Sequence, residues 1–277
     1  MKRNRTGRLQ DKVAIITGAA SGIGWATVER FLSEGAAVVA SDINEEGLHI
    51  LADKLQVYGD ELTASFAIVT GDVSQRTDTE TIVDHAVRRF GQLDILVNSA
   101  GITSRTLPPE ADFEAQWDAV MAVNAKGTML MSYAAVEAMR KKEVGESEAK
   151  RRNRGSIINL ASIMGVAGYP THLPFTEYIN AYPHSKGAVV QIMRDMGVRL
   201  AKEGIRINAV CPGFVYTALT DNITQNPEIH ATLKELHPVG RMGEPEEIAN
   251  VIAFLASDEA SFVAAATWLV DGGYTAM

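Results

Sequence analysis

The sequence predicts an α/β protein with a doubly wound parallel sheet that carries helices on both faces. Apolar runs rich in β-branched residues recur along the whole chain, and amphipathic helical stretches separate them. Several of these runs are almost continuously apolar, as expected of strands that helices cover on both faces. Strands that alternate with helices connect by right-handed crossovers, and the strands therefore lie parallel.

Seven segments of the chain are predicted to be strands: 12–18, 36–42, 63–73, 93–101, 155–162, 205–213 and 266–273. The first connection, GIGWATVERFLSEG, places Ile23, Ala26 and Phe31 on one face of a helix. No internal repeat and no second-domain boundary interrupts the series. We therefore expect a single domain over 9–277, preceded by a flexible basic tail over 1–8.

Composition excludes several functional classes. The chain has 277 residues, of which 46% are hydrophobic, and a net charge of −8, so a nucleic-acid partner is not expected. No apolar run reaches the length of a membrane span, and no signal core follows the basic start, so we expect no membrane partner. A single cysteine, Cys211, permits no internal disulfide and is typical of a reducing, cytoplasmic setting.

A glycine-rich turn, TGAASGIG, follows the first strand and opens the first helix. Gly18, Gly22 and Gly24 allow a tight turn and a close approach to a pyrophosphate at the helix N-terminus. Asp42 ends the second strand, where a carboxylate accepts from a ribose hydroxyl. The pattern predicts a dinucleotide site, and the alternative for Asp42 is a helix N-cap or turn residue.

Charge around this turn favours NAD over NADP. The carboxylate of Asp42 would face a 2′-phosphate as a like charge. Residues 43–46 are Ile, Asn, Glu and Glu, and the turn itself carries Ser21, so no basic side chain is available for that phosphate.

Tyr182 and Lys186 stand one helical turn apart in YPHSK, and this spacing indicates an activated phenol. A free tyrosine titrates near ~10, too high for an efficient base at neutral pH. At ~6 Å and an effective dielectric constant of ~20, the lysine would favour phenolate by about 3 kcal/mol, lowering the pKa by roughly two. The alternative is a surface pair at the start of a helix.

Several motifs in order resemble the short-chain dehydrogenase/reductase family, of the simple single-domain type, over roughly 9–273. The resemblance implies one Rossmann-like NAD(P)-binding domain, with a seven-stranded parallel sheet and the cofactor at the carboxyl ends of the strands. It rests on these motifs: TGAASGIG (17–24), GDV (71–73), NSAG (98–101), MAVNAKG (121–127), INLAS (158–162), YPHSK (182–186), INAVCPGFVYT (207–217) and VDGG (270–273).

The resemblance implies a catalytic set that interconverts a secondary alcohol and a ketone. Tyr182 would be the general acid/base, and Lys186 would lower its pKa and bind the nicotinamide ribose. Ser162 would hold the substrate oxygen, and Asn124 would support a proton relay through a water. No metal is required. The cofactor-binding positions implied are Gly18, Ser21, Gly22, Ile23, Gly24, Asp42, Ile43, Asp72, Val73, Asn98, Ala100, Gly101, Tyr182, Lys186, Pro212, Gly213, Val215 and Thr217.

The chain departs from the family pattern at two places near the site. Ser99 replaces a second asparagine, and Ser162 and Tyr182 are separated by a longer segment than usual, so the extra residues must bulge outward. The aromatic loop over 163–181 and a mobile helical flap over about 213–240 are predicted to form the substrate pocket. Tyr169, Phe175, Tyr178 and Phe214 indicate a medium-sized, fairly apolar substrate, cyclic alcohols and ketones included.

Two alternatives remain open at this level. One is a 3-oxoacyl-carrier or acyl-CoA reductase that uses NADPH, and the other is a non-catalytic NAD-binding sensor module. The resemblance also implies a homo-oligomer, a tetramer, with helices over about 112–140 and 180–202 and the last strand at its interfaces. The charged run over 140–155 is interpreted as a solvated helix extension or mobile loop without chemistry.

Overall fold

The computed structural model describes residues 7–56, 59, 64–108, 110–142, 153–170, 173 and 180–277. All seven predicted strands are confirmed, and they form one parallel sheet in the order β3-β2-β1-β4-β5-β6-β7. The strands are β1 Val13–Thr17, β2 Ala37–Asp42, β3 Phe66–Thr70, β4 Ile95–Asn98, β5 Gly155–Leu160, β6 Ile205–Pro212 and β7 Thr267–Val270. The α/β fold class is therefore confirmed, with strands shorter than the sequence segments because the turns at their carboxyl ends belong to the site.

Helices connect the strands and cover both faces of the sheet. They are α1 Gly22–Ser33, α2 Glu45–Gln56, α3 Arg76–Phe90, α4 Phe113–Met121, α5 Thr128–Lys141, α6 Ala181–Leu200, α7 Ala218–Thr224, α8 Pro227–Glu235 and α9 Pro245–Ala256. A π-helical segment, Ala122–Gly127, joins α4 to α5. Short 3-10 turns lie at Ser104–Thr106, Ile163–Gly165, Ala201–Glu203, Asp258–Ala260 and Tyr274–Ala276.

The hydrophobic core is divided by the sheet into two layers. Ile16 and Val38 face a cluster that contains Phe31 of α1 and Ile252 of α9. Ile15 faces the opposite cluster, where α3, α5 and α6 pack. Neighbouring strand residues thus point to opposite faces, and both faces are apolar, which is why the sequence shows continuous apolar runs rather than alternation.

Two residues of the predicted flexible tail, 7 and 8, are held against the domain. Arg8 pairs with Glu34 at 2.7 Å, and its backbone N–H donates to the same carboxylate at 3.0 Å. Gly7 lies so close to the backbone of Glu34 that a Cβ would stand 1.9 Å from the Glu34 carbonyl oxygen. Residues 7 and 8 therefore belong to the domain, because the end of α1 holds them.

The predicted flap contains two short helices, α7 and α8. Ile223 and Leu233 of the flap form a small cluster with Leu173 and Met242, separate from the two main core layers. The Tyr216 hydroxyl and the His230 ring nitrogen, 2.9 Å apart, join the start of the flap to α8. Its helical character is confirmed, and its mobility stays a prediction.

Some predictions fall on residues outside the described ranges. These are the tail over 1–6, the start of the third predicted strand at 63, most of the charged run over 140–155, and Phe175 and Tyr178 in the aromatic loop.

Candidate active site

The carboxyl ends of the strands open into a cavity of about 540 Å³. All the predicted cofactor-binding residues line this cavity except Asn98, and the predicted catalytic residues Ser162, Tyr182 and Lys186 line it as well. One connected space therefore joins the glycine-rich turn to the tyrosine–lysine pair, which places both predicted halves of the site in contact.

The glycine-rich turn has a shape that side chains would destroy. Gly18 has a φ of 64°, and a Cβ there would meet the backbone of Ala100 at 2.8 Å. A Cβ on Gly24 would stand 2.0 Å from the Gly18 carbonyl oxygen. Ser21 precedes α1 without a side-chain cap hydrogen bond, so the first-turn N–H groups lack this partner and suit an anion.

Thr17, which the sequence analysis did not single out, holds the opposite wall of this turn. Its hydroxyl is buried and accepts hydrogen bonds from the backbone N–H groups of Ser99 and Ala100, both at 3.1 Å. The threonine thereby fixes the NSAG turn beside the glycines. Only its place at the end of β1 could have indicated this role.

Asp42 ends β2 at the rim of the cavity. Its carboxylate accepts from the Ala20 N–H at 3.0 Å and from the Asn44 N–H at 2.9 Å, so it also shapes the turn. The N-cap of α2 is supplied by Asn44, whose side chain accepts from the Gly47 N–H at 3.1 Å. Asp42 is thus a cavity and turn residue, and its negative charge stands where the sequence predicts a ribose.

Tyr182, Lys186 and Ser162 converge on the other half of the cavity. Tyr182 and Lys186 lie in the first turns of α6, and the Lys186 Nζ is 5.6 Å from the centre of the Tyr182 ring. The Lys186 amine donates to the Leu160 carbonyl oxygen at 2.7 Å. Ser162 follows β5, and its hydroxyl accepts from the Met164 N–H at 3.1 Å.

The groups of the chain itself do not lower the pKa of Tyr182, contrary to the prediction. Burial raises the pKa of Tyr182 above its ordinary value, and the hydrogen bond with Ser162 and the charge of Arg105 oppose this only in part. Burial also lowers the pKa of Lys186 to about 8. The sequence-based prediction was wrong in sign because it counted the charge of the lysine and left out the desolvation of a buried phenolate.

Asn124 lies behind the cavity rather than in its lining. It is fully buried in the π-helical segment. Its side-chain amide donates to the Ile102 carbonyl at 2.9 Å and to the Ser185 hydroxyl at 2.9 Å, and its Oδ1 accepts from the Ile102 N–H at 2.8 Å. Asn124 thus ties the loop after β4 to α6, and its relay role stays a prediction.

Asn98 also points away from the cavity. Its amide donates to the Asn159 Oδ1 at 2.9 Å and to the Ser132 hydroxyl at 3.1 Å. It joins β4, β5 and α5 beneath the site and does not line the cavity, and its predicted place in the turn along the adenosine side stays a prediction. Its position as the last residue of a buried strand explains the difference, because the following residues form the cavity turn.

Further lining residues come from loops. Tyr169 and Phe214 line the cavity as predicted, whereas Phe175 and Tyr178 are outside the described ranges. Arg105, in the turn after β4, also lines the cavity and was not singled out from the sequence. Nothing in its immediate sequence marks it, since an arginine in a polar turn is ordinarily solvated.

Comparison with known proteins decides the family. A family model described as "Enoyl-(Acyl carrier protein) reductase" matches residues 18–275. The chain belongs to the short-chain dehydrogenase/reductase family.

Relatives and solved structures support this assignment over nearly the full length. The chain is 38% identical to 3-oxoacyl-[acyl-carrier-protein] reductase FabG of Thermotoga maritima, over 96% of this chain and 98% of that protein. It is 36% identical to cis-4-hydroxycyclohexanecarboxylate dehydrogenase of Sinomonas cyclohexanicum, over 96% and 98%. The crystal structure of levodione reductase superimposes with a TM-score of 0.81 at 31% identity, covering 97% of this chain and 99% of that one.

As a short-chain dehydrogenase/reductase, the protein is an oxidoreductase that acts on alcohols and ketones, and its family uses NAD(P). Within the described ranges, no helix has both the length and the apolar character needed to cross a membrane.

Proposed function

We propose that this protein is an NAD-dependent oxidoreductase that interconverts a secondary alcohol and a ketone. One observation carries the proposal. Ser162, Tyr182 and Lys186 line the same cavity as the glycine-rich turn of α1. Hydride transfer to a carbonyl requires a proton donor next to a dinucleotide site, and both would share this cavity.

The residues of the cavity fit a dinucleotide. Gly18 and Gly24 allow the backbone to approach a pyrophosphate, and Asp42, which lines the cavity, would accept from the adenosine ribose. Gly101 keeps space open beside the lysine, because a Cβ there would stand 3.3 Å from the Lys186 Nζ. When bound, NAD supplies the hydride acceptor or donor of the reaction.

Tyr182 is the proposed proton carrier. In oxidation, its phenolate takes the proton of the alcohol O–H while the hydride leaves the carbinol carbon, so that a ketone forms. In reduction, the phenol returns a proton to the oxygen. Burial raises the pKa of Tyr182, so the chain's own environment favours the phenol, the form that donates a proton in reduction.

Ser162 and Lys186 position the reacting groups around the phenol. Ser162 would hold the substrate oxygen with its hydroxyl, and it lines the same part of the cavity as Tyr182. The Lys186 amine donates to the Leu160 carbonyl, and it would bind the nicotinamide ribose through its remaining donors. Asn124 supports both by fixing Ser185, one residue before the lysine.

The proposed substrate is a medium-sized, fairly apolar secondary alcohol or ketone, cyclic ones included. Tyr169, Phe214 and Ile223 support this size and polarity because they line the cavity near the reacting residues. The relative named for cis-4-hydroxycyclohexanecarboxylate supports a cyclic substrate. The relative named for 3-oxoacyl-[acyl-carrier-protein] keeps the carrier-bound alternative open as a second candidate.

The Tyr182→Phe variant tests the proposed function. With NADH and a panel of cyclic ketones and short polyols, the wild type should turn over cyclic ketones, and the variant should lose about 10²–10⁴-fold in kcat. NADH binding, followed by its fluorescence, should persist in the variant. The matched control is Tyr133→Phe, since Tyr133 is 57% exposed on α5 and far from the chemistry.

Two outcomes would contradict this assignment. Full activity of Tyr182→Phe would remove the tyrosine from the mechanism. NADH binding without turnover of any compound by the wild type would instead favour the non-catalytic sensor module. Turnover restricted to short polyols would refute the proposed substrate class while leaving the chemistry intact.

The cofactor preference is tested at Asp42. The wild type should use NADH better than NADPH, because the carboxylate repels a 2′-phosphate. Asp42→Asn removes the charge and keeps the size, so kcat/KM for NADPH should rise about tenfold relative to that for NADH. The control Asp53→Asn lies on the exposed face of α2 and should leave the ratio unchanged. A wild type that prefers NADPH would support the oxoacyl alternative.

A further inference from the structure

The cavity contains a buried primary amine, that of Lys186. The side chain is 5% exposed, and it lines the cavity together with Tyr182 and Ser162. The Lys186 Nζ lies 5.6 Å from the centre of the Tyr182 ring. A lysine in such a place can act as a nucleophile, provided that its nitrogen carries a free lone pair.

The hydrogen bond that holds the amine does not require a positive charge. The Lys186 Nζ donates to the Leu160 carbonyl oxygen at 2.7 Å, and a neutral amine can donate this N–H as well. Among the described lining residues, the acids are Asp42 at the end of β2 and Asp72 after β3. Strands β1 and β4 separate β2 and β3 from β5, which ends at Leu160. The carboxylates of the lining thus belong to the other half of the sheet.

The surroundings of the amine favour its neutral form. Burial lowers the pKa of Lys186 to about 8 from an ordinary 10.5. Tyr182 on α6 and the Cys211 thiol on β6 face it, and burial raises the pKa of both, so both are uncharged near pH 8. Gly101 and Leu160, which approach it from the ends of β4 and β5, carry no charge. About half of the amine is therefore neutral at pH 8, compared with about one in 250 for an exposed lysine.

The cavity offers space for an electrophile beside the nitrogen. Gly101 faces the amine, and a Cβ at this glycine would stand 3.3 Å from the Lys186 Nζ. Gly101 also lines the cavity, and so do the apolar side chains of Ile102 and Met164. A carbonyl carbon can approach the nitrogen along this wall because the glycine has no side chain there.

We propose that Lys186 forms an imine with aldehydes that have an apolar, cyclic body when no dinucleotide occupies the cavity. The Nζ lone pair attacks the carbonyl carbon, and the carbonyl oxygen takes a proton from the Tyr182 hydroxyl. The phenolate then removes a proton from the nitrogen, which leaves a neutral carbinolamine. Tyr182 next protonates the new hydroxyl group, water leaves, and the nitrogen returns a proton to the phenolate. Amine and aldehyde thus give imine and water, and the phenol is regenerated.

The test traps the imine with sodium borohydride, using cyclohexanecarbaldehyde and the intact protein without dinucleotide. A short pulse of borohydride reduces the imine to a stable secondary amine, and peptide mass spectrometry locates the label. At pH 8 the labelled fraction of Lys186 should exceed that of Lys202, an exposed lysine after α6, by about 10- to 100-fold. Equal labelling of the two lysines would overturn the proposal.

The pH profile separates a neutral buried amine from one that is merely accessible. The labelled fraction of Lys186 should rise as the pH increases through about 8 and should level off above it, because the neutral amine is the reactive form. Labelling of Lys202 should still be rising at about pH 10. A profile of Lys186 that follows that of Lys202 would contradict the proposal.

Two variants identify the reacting groups. Lys186→Arg keeps a cation without a nucleophilic amine, so the label at 186 should vanish while that at Lys202 persists, with circular dichroism as the check on folding. Tyr182→Phe should slow labelling about 10- to 100-fold without changing the final labelled fraction, because a proton carrier changes rates and leaves equilibria as they are. Tyr133→Phe, at a position 57% exposed on α5, should label at the wild-type rate. An unchanged rate in Tyr182→Phe would remove the tyrosine from the proposed step.

Saturating NADH, added before the aldehyde, distinguishes this inference from the proposed function. A cofactor whose ribose binds Lys186 covers the amine, so labelling should fall in proportion to occupancy. Labelling that persists in the NADH complex would contradict the proposed place of the nicotinamide ribose and would leave the imine site intact. Lack of a Lys186 label in the dinucleotide-free protein would overturn the imine and leave the oxidoreductase proposal unaffected.

Discussion

Lys186 shows how function and stability oppose each other at a single residue. The side chain is 5% exposed, and burial lowers its pKa to about 8 from an ordinary 10.5. At pH 7 the folded protein therefore holds a protonated amine in an unfavourable environment. The pKa difference corresponds to a destabilisation of about 3 kcal/mol.

Lys186→Met should therefore inactivate the enzyme without destabilising it. The variant removes the buried charge but leaves the Leu160 carbonyl without its donor, at a cost of about 1–2 kcal/mol. The net effect should raise the unfolding temperature by roughly 2–4 °C at pH 7, as measured by calorimetry. Lys202→Met, at an exposed position after α6, is the matched control and should change neither stability nor activity.

The stability gained by Lys186→Met should depend on pH in a definite direction. Because the folded pKa of Lys186 lies below the unfolded one, the wild type carries the full destabilisation below pH about 8. The destabilisation disappears as the pH rises toward the unfolded value of 10.5, so the advantage of Lys186→Met should shrink across that range. An unfolding temperature of the variant well below that of the wild type at pH 7 would contradict the argument.

At the scale of elements, the strands and the glycine-rich turn could be predicted because their signals are local. Apolar runs bounded by turn residues located all seven strands, and Gly18 is required by the backbone itself, through a φ of 64°. The tyrosine–lysine pair was located equally well, since one helical turn fixes its geometry. The direction of the Tyr182 pKa shift could not be predicted, because the burial of the phenol depends on its surroundings in the folded protein.

Other elements left no signal in the sequence. The predicted helix over 112–140 contains a π-helical segment, Ala122–Gly127, that turns Asn124 inward toward Ile102. The same residue types form α-helical and π-helical turns, so the hydrophobic periodicity of the sequence does not distinguish the two. π-helical turns nevertheless occur often at functional sites. Gly127 fits the bend because a Cβ there would stand 2.7 Å from the side chain of Val73.

The base of the flap is held by a histidine whose two nitrogens are both used. The His237 Nδ1 lies 2.7 Å from the Leu233 carbonyl, and its Nε2 accepts from the Phe214 N–H at 3.1 Å. The Nδ1 thus faces an acceptor and the Nε2 faces a donor. The end of α8 thus fixes the chain where it leaves β6, so any movement of the flap over substrate has its pivot beside Gly213.

At the scale of the whole molecule, some of the exposed apolar side chains lie on α5 and α6 and others near the edge strand β7. On the helical surface, Tyr133 is 57% exposed on α5 and Val198 is 70% exposed on α6. Near the edge strand β7, Phe262 is fully exposed and Leu269 is 48% exposed. Such patches are typical of interfaces, and we propose that they are the two interfaces of a homotetramer, as the family resemblance implies.

Two substitutions test the two proposed interfaces one at a time. Light scattering of the wild type should give four times the chain mass of 29.9 kDa. Val198→Glu and Leu269→Glu should each reduce this to twice the chain mass, because a charge buried in one interface leaves the other interface intact. Ile50→Glu, at a position 55% exposed on α2, is the matched control and should stay tetrameric. A wild-type mass of one chain would contradict the assembly, and dissociation of Ile50→Glu would show that general charge repulsion, rather than these surfaces, controls it.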